Sequence, residues 1–124
     1  MYDLPTTIDT YLSALNETDP ARRAGLIELV WANNGQLIDP PLTGEGHAGI
    51  DDMAVAMQTQ FPGHRFRRVS GVDAHHGCLR FAWELVAPDG SVVVSGLDVG
   101  ELATDGRLQR VTGFFGALPA LESA

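Results

Sequence analysis

The chain has 124 residues, of which 44% are apolar and 19% are charged, a length and balance that predict one globular domain over residues 1–124. The formal net charge is −8, which argues against nucleic acid as a partner. All eight basic residues are arginine, so a Schiff-base lysine and the lysine of a phosphate-binding loop are excluded. No apolar run reaches the ~18 residues of a membrane span, no signal-peptide pattern is present, and Cys78 has no disulfide partner. We therefore expect a cytoplasmic protein.

Helical spacing dominates the first half of the chain. Apolar residues at Ile8, Tyr11, Leu12 and Leu15 predict a helix that begins near Pro5–Thr7. A second helix is predicted to begin at Pro20, with Asp19 as its N-cap, and to end at 33–35, where the sequence is Asn-Asn-Gly. The segment 36–39 is then a short strand that stops at Pro40-Pro41.

A third helix is predicted from Ala48 to Gln60, with Met53 and Met57 on its buried face. The remainder has strand character, in four segments separated by turn sequences such as Pro88-Asp89-Gly90 and Asp105-Gly106. The four candidate strands are 64–74, 78–86, 92–103 and 108–115. Three helices ahead of an antiparallel meander predict an α+β fold in which the helices cover one face of the sheet.

Alternation within the strands predicts which face each side chain joins. Phe81 and Trp83 lie on the side of their strand that we expect to face the helices. On the last strand, Leu108 and Phe114 belong to the opposite, outward set, which suggests a convex face that is covered by another molecule. If the sheet curls, the helices do not completely fill its concavity, and a pocket remains.

Three polar residues occur in apolar company. Asp39 follows Leu-Ile at the end of the short strand, Asp98 lies in the middle of an apolar strand, and Tyr11 lies within the apolar stripe of the first helix. A carboxyl group that is buried in such surroundings has a raised pKa and is suited to acid–base chemistry. Each residue also has a plainer interpretation: Asp39 as a turn former, Asp98 as an outward carboxylate beside an arginine such as Arg110, and Tyr11 as a core tyrosine.

The motifs Tyr11-Leu12-Ser13-Ala14-Leu15-Asn16, Ile38-Asp39-Pro40 and Leu97-Asp98 occur in the order and at the approximate spacing of bacterial ketosteroid isomerases. The chain therefore resembles the ketosteroid isomerase-like and SnoaL-like proteins of the nuclear transport factor 2-like superfamily, from Tyr11 to Gly116. The resemblance implies a cone-shaped fold, with three N-terminal helices on a curved, mainly antiparallel sheet that encloses a pocket. The supporting tyrosine that the family carries on the third helix has no counterpart here.

By the same resemblance, Asp39 is the general base, and Tyr11 and Asp98 donate hydrogen bonds to a developing enolate oxygen. The expected apolar walls come from Phe81, Trp83, Val111 and Phe115, with Met53 or Met57 added from the third helix. The resemblance implies no cofactor, a small apolar or carbonyl-bearing ligand, and a homodimer.

Three alternatives stay open at this stage. One is a SnoaL-like polyketide cyclase, and another is a binding domain without catalysis. Epoxide opening is a third and calls for an arginine, Arg80 or Arg110, close to both aspartates. A metal site is disfavoured because His75 and His76 point to opposite faces of a strand, while His47 and His64 lie far away in sequence.

Overall fold

The computed structural model describes residues 3–123 and contains three helices. Helix α1 (Leu4–Asn16) is capped by the carboxylate of Asp3, and α2 (Pro20–Val30) is capped by Asp19, which accepts from the Arg22 amide. Helix α3 spans Gly46–Gln60. Within residues 3–123, no helix combines the length and apolarity that crossing a membrane requires.

A mixed, mostly antiparallel sheet of seven strands forms the second layer. Its strands are β1 (Trp31–Asp39), β2 (Leu42–Glu45), β3 (Arg65–Arg68), β4 (Asp73–His75), β5 (Cys78–Val86), β6 (Val92–Leu102) and β7 (Leu108–Phe115). The strand order is β2-β1-β7-β6-β5-β3, and β4 pairs with β5 beside β3. Only the β1–β7 pair is parallel among the pairings of residues 3–123. This is the α+β arrangement that the sequence predicts, with helices on a mainly antiparallel sheet.

The helices cover one face of this sheet, and the main core lies between the two layers. Phe81, Trp83 and Leu85 alternate along β5 and are all buried, as the pattern predicts. Arg23 of α2 is also buried; it pairs with Asp51 of α3 at 2.6 Å and donates to the carbonyl of Glu17. The helical layer is therefore held by apolar packing together with one largely buried ion pair.

Several predicted boundaries were wrong. Helix α2 ends at Val30 rather than at 33–35, because Trp31 already pairs with Leu108 as the first residue of β1. The predicted strand 64–74 is two strands, separated at Ser70-Gly71, and each pairs with a different part of β5. Strand β2 was not predicted at all. In each case pairing with a distant strand decides the local structure.

The assignment of Leu108 to the outward face was also wrong. Leu108 is fully buried, whereas Phe114 is 57% exposed. The β6–β7 pairing is irregular between Glu101 and Leu102: Glu101 lies opposite Arg110 but Leu102 lies opposite Leu108. The extra residue in β7 reverses the alternation, so Leu108 points inward.

Candidate functional site

A cavity of about 220 Å³ opens between the C-terminal part of α3, the β1–β2 turn and the inner face of the sheet. Its walls are mainly apolar and include four aromatic rings. The lining residues are Asp39, Pro40, Pro41, Leu42, Met57, Gln60, Phe61, Phe66, Trp83, Leu85, Val94 and Phe115. The cavity thus joins an apolar wall to one carboxylate, a combination that is typical of small-molecule sites.

Asp39 is the last residue of β1, and the proline that follows directs the chain into the tight turn to β2. Its Oδ1 atom is buried and has no hydrogen-bond partner among residues 3–123. Burial raises the pKa of Asp39 to about 6. The carboxyl group is therefore mostly ionised at neutral pH and has a basicity suited to taking up a proton.

Asp98 lies on the inner face of β6, opposite Phe81, and is 4% exposed. Its Oδ2 accepts from the Tyr11 hydroxyl at 3.1 Å, and its Oδ1 accepts from Nε1 of Trp83 at 2.9 Å. Burial, followed by the nearby charge of Asp39, raises the pKa of Asp98 to about 7, although both hydrogen bonds act in the lowering direction. A large share of Asp98 is thus protonated at neutral pH.

Tyr11 reaches the site from the buried face of α1. Its ring packs edge-on against Trp31 and Phe81, with centroids 5.8 and 6.3 Å apart. Burial, and then the charges of Asp98 and Asp39, hold the pKa of Tyr11 well above its usual value. The hydroxyl therefore remains protonated and can act as a hydrogen-bond donor.

The two carboxyl groups converge at Gly113 of β7. A Cβ atom at this residue would contact Oδ1 of Asp39 and would stand 3.1 Å from Oδ1 of Asp98. Both oxygens lie within 3.1 Å of that point, so they are no more than twice this distance apart. Asp39 lines the cavity, whereas Asp98 and Tyr11 lie directly behind the lining. The structure therefore brings all three predicted residues into one cluster.

The predicted apolar walls divide into two groups. Trp83, Phe115 and Met57 line the cavity. Phe81, Val111 and Met53 lie instead in the core and not in the lining, which corrects their expected placement. Each has a neighbour that accounts for this. Phe81 packs on Tyr11, Val111 pairs with Leu37 in the middle of the sheet, and Met53 lies against Gly44 of β2.

Sequence reasoning missed two kinds of contribution. Phe61 and Phe66 complete the aromatic wall; Phe66 packs edge-on against Trp83, with ring centroids 5.5 Å apart. Alternation along 64–68 was a signal for Phe66, since it separates Phe66 from the exposed Arg65 and Arg67. No pattern in the sequence predicts the hydrogen bond from Trp83 to Asp98, because it depends on how side chains on adjacent strands are placed.

The basic residues and histidines do not join the cluster. Arg80 pairs with Asp73 and Arg110 bonds to Gln36, both in exposed positions, so neither supplies the arginine that epoxide opening calls for. His47 bonds to the carbonyl of Trp31, and His64 to that of Pro62. Over residues 3–123, no group of three or more His, Cys, Asp or Glu side chains is placed to hold a metal ion.

A second cleft, of about 440 Å³, lies between α1, α2 and the β6–β7 turn. Its ionisable residues, Asp105 and Arg107, pair with each other at 2.9 Å and are partly exposed. The smaller cavity is therefore the better candidate site, because it is the one that contains a carboxylate with an unpartnered oxygen.

Comparison with solved structures gives the same fold. A SnoaL-like family protein from Agrobacterium tumefaciens str. C58, provisionally described as an isomerase, is 42% identical, with a TM-score of 0.86 over 91% of this chain and 97% of that one. A nuclear transport factor 2-like protein of unknown function from an Exiguobacterium species is 17% identical, with a TM-score of 0.71 over 90% and 99% of the chains. A ketosteroid isomerase-like protein from Catenulispora acidiphila DSM 44928, solved in complex with trimethylamine, is 10% identical, with a TM-score of 0.71 over 90% and 86%.

Neither the family models nor the curated proteins yield a match to this chain. The chain has a fold of the nuclear transport factor 2-like type. At 42% identity over nearly its full length to a SnoaL-like protein, the chain belongs to the SnoaL-like family.

Proposed function

We propose that this protein is an enzyme that moves a proton next to a carbonyl group, with Asp39 as the base and Tyr11 and Asp98 as hydrogen-bond donors. The observation that carries the proposal is the convergence of two unlike carboxyl groups at Gly113: one lines an apolar cavity, and the other is buried and bonded to a tyrosine. Different surroundings give the two groups different tendencies to hold a proton, which suits one to act as base and the other as acid.

In this reaction the ionised Asp39 takes a proton from the carbon next to the carbonyl, and the electron pair of that C–H bond forms the enolate. The negative oxygen accepts hydrogen bonds from Tyr11 and from neutral Asp98, which lowers the energy of the charged state in a dry site. Asp39 then returns its proton one conjugated position away. The proton count is unchanged, so no co-reactant is required.

The size of the cavity favours a small substrate. Its volume of about 220 Å³ lies below the roughly 300–1,000 Å³ that is typical of pockets for drug-sized ligands. One ring with short substituents fits this space, whereas a four-ring steroid would extend through the mouth. Among residues 3–123 no arginine lines the cavity, and two carboxyl groups adjoin it, so the substrate is uncharged rather than anionic.

The test uses cyclohex-3-enone, whose isomerisation to cyclohex-2-enone is followed by ultraviolet absorbance. The wild type should catalyse it, and Asp39→Asn should reduce the rate by at least about 100-fold, because the base is lost. The exposed Asp73→Asn variant, whose side chain is 64% exposed, is the matched control and should keep the full rate. A wild type without activity on this and related small enones would contradict the proposal.

Binding of phenols, which mimic the enolate, tests the two donors separately from turnover. Asp39→Asn should bind 4-methylphenol about tenfold more tightly, since a neighbouring negative charge is removed, while Asp98→Ala should weaken binding. The larger phenol equilenin should bind less well than 4-methylphenol if the cavity limits substrate size. Tighter binding of equilenin would contradict the proposed small size of the substrate, but not the proposed proton transfer.

Two other functions remain candidates. A polyketide cyclase would use the same base to form a carbon–carbon bond, and a solved structure from Sinorhizobium meliloti, 16% identical, carries a provisional cyclase description.

A binding domain without catalysis is favoured by one specific observation: Tyr11 and Asp98 are already hydrogen-bonded to each other behind the cavity lining. In that case an amine such as the trimethylamine of the Catenulispora structure would bind beside Asp39, and no enone would react.

We also propose that two copies associate through the outer face of the sheet. Leu97, Val99 and Phe114 lie on this face and are 38–57% exposed, and Leu97 is directly opposite Phe114 in the β6–β7 register. A contiguous apolar surface of this kind is typical of a contact with another molecule.

A cytoplasmic location stays a prediction from the sequence and can be checked by cell fractionation.

A further inference from the structure

The indole N–H of Trp83 donates to Oδ1 of Asp98 at 2.9 Å, inside the buried cluster. An indole nitrogen can only donate a hydrogen bond and never accepts one. As long as this bond persists, Oδ1 of Asp98 must be an acceptor. A protonated carboxyl group accepts better through its carbonyl oxygen than through its hydroxyl oxygen, so this bond favours the proton on the other oxygen, Oδ2, which lies 3.1 Å from the Tyr11 hydroxyl.

The same Oδ1 atom is the one that approaches Asp39. Both Oδ1 atoms border the empty position beside Gly113, and the glycine has no side chain that could separate them. Oδ1 of Asp39 is buried and lacks a hydrogen-bond partner among residues 3–123. With a proton on Oδ1 of Asp98, rotation of either side chain would let the two carboxyl groups share that proton. A shared proton would occupy the lone pair with which Asp39 acts as a base.

We propose that Trp83 is a positioning residue that keeps the two aspartates from sharing a proton, by reserving Oδ1 of Asp98 as an acceptor and directing the proton to Oδ2 beside Tyr11. The proposal rests on the proposed function, in which Asp39 must stay free to act as a base. It assigns to Trp83 a polar role in addition to its place in the cavity wall.

The surroundings of Trp83 hold the indole in this orientation. Phe66 and Phe115 pack edge-on against its ring, with centroids 5.5 and 5.7 Å away. The polar groups that face Asp98 come from three elements: Tyr11 from α1, Asp39 from β1 and Trp83 from β5. Since the indole is the group that bonds to Oδ1, its removal frees that oxygen to carry the proton.

Trp83→Phe tests the proposal, because it deletes the N–H and retains an aromatic ring. The carboxyl groups of Asp39 and Asp98 would be followed by carbon NMR as a function of pH in the unliganded protein, with Asp39→Asn and Asp98→Asn to assign the signals. In the wild type the pKa values of about 6 and about 7 lie close together. In Trp83→Phe we expect the two midpoints to separate by at least about one further unit, the lower falling and the upper rising, as for carboxyl groups that share a proton.

Phe61→Leu is the matched control, since Phe61 lines the same cavity but packs against His64 and not against the ring of Trp83. It should leave the separation of the midpoints within a few tenths of a unit of the wild type. An unchanged separation in Trp83→Phe, or the same change in both variants, would overturn the proposal.

The enone assay adds a second readout, in which Trp83→Phe should lose at least about tenfold in kcat at neutral pH. If the wild type proves inactive, the proposed function fails, but the titration of the unliganded protein still decides whether Trp83 keeps the two aspartates apart. The two failures are thus distinguishable.

Discussion

At Gly113 of β7 there is no side chain to stand between Asp39 and Asp98. The sheet presents this residue to the inner face, directly opposite Asp98 in the β6–β7 register. The absence of a Cβ atom lets both Oδ1 atoms approach the strand. The glycine is therefore a steric requirement of the site.

Gly113→Ala should displace Asp39, because the new methyl group would contact Oδ1 of Asp39 and stand 3.1 Å from Oδ1 of Asp98. We expect the free energy of unfolding to fall by about 1–3 kcal/mol, as for other overpacked buried sites, and the enone rate to fall at least about tenfold. Denaturant unfolding and the absorbance assay measure the two effects.

Gly25→Ala is the control for this substitution. A Cβ at Gly25, on α2, would meet nothing within 4 Å, so the variant should keep its activity and gain up to about 1 kcal/mol of stability from its helix propensity. Wild-type activity in Gly113→Ala would show that the close approach of the two carboxyl groups is dispensable.

The sequence predicted the residues of the cluster better than their contacts. Asp39, Asp98 and Tyr11 were identified because charged and phenolic groups are conspicuous among apolar residues and because their spacing matched a family. Trp83 was predicted only as part of the cavity wall, and no role was predicted for Gly113. Their contributions arise across strands, where register and side-chain rotation decide which atoms meet.

For the helices and strands, local signals predicted helix starts and strand centres but not the places where pairing with a distant strand decides the structure. Asp19 and Pro20 fixed the start of α2 as expected, since capping involves only neighbouring residues. The end of α2 was misplaced because Trp31 pairs with a strand more than seventy residues away. The irregular β6–β7 pairing likewise reversed the expected face of Leu108. Such features depend on tertiary structure, which single-sequence periodicity does not contain.

The outer face of β6 and β7 provides a test of association between copies. Leu97→Glu places a charge opposite Phe114 in an apolar surface and should shift sedimentation velocity from the mass of two chains to that of one. Val55→Glu, at a residue of α3 that is 43% exposed, is the control and should not change the mass. A wild type that sediments as a single chain at high concentration would contradict the dimer.

The raised pKa values of Asp39 and Asp98 make the stability of the folded protein dependent on pH. Asp39 and Asp98 have raised pKa values, about 6 and about 7, against 3.8 as their ordinary value. Between about pH 4 and 7 the folded protein therefore binds more protons than the unfolded chain, and stability falls as pH rises. The exposed carboxylates with lowered pKa, such as Asp89 and Asp105, act in the opposite sense, but mainly below this range.

The free energy of unfolding should accordingly decrease from pH 5 to pH 8, by an amount on the order of a few kcal/mol, since each unit of pKa shift corresponds to about 1.4 kcal/mol. Asp98→Asn should flatten this slope, because an amide of similar shape does not titrate, and Asp73→Asn, at an exposed position, should leave it unchanged. Urea unfolding at several pH values measures the slope directly. If the free energy of unfolding of the wild type instead rises over this range, both carboxyl groups are ionised in the folded protein at little cost in free energy. Asp98 could then not serve as a neutral donor.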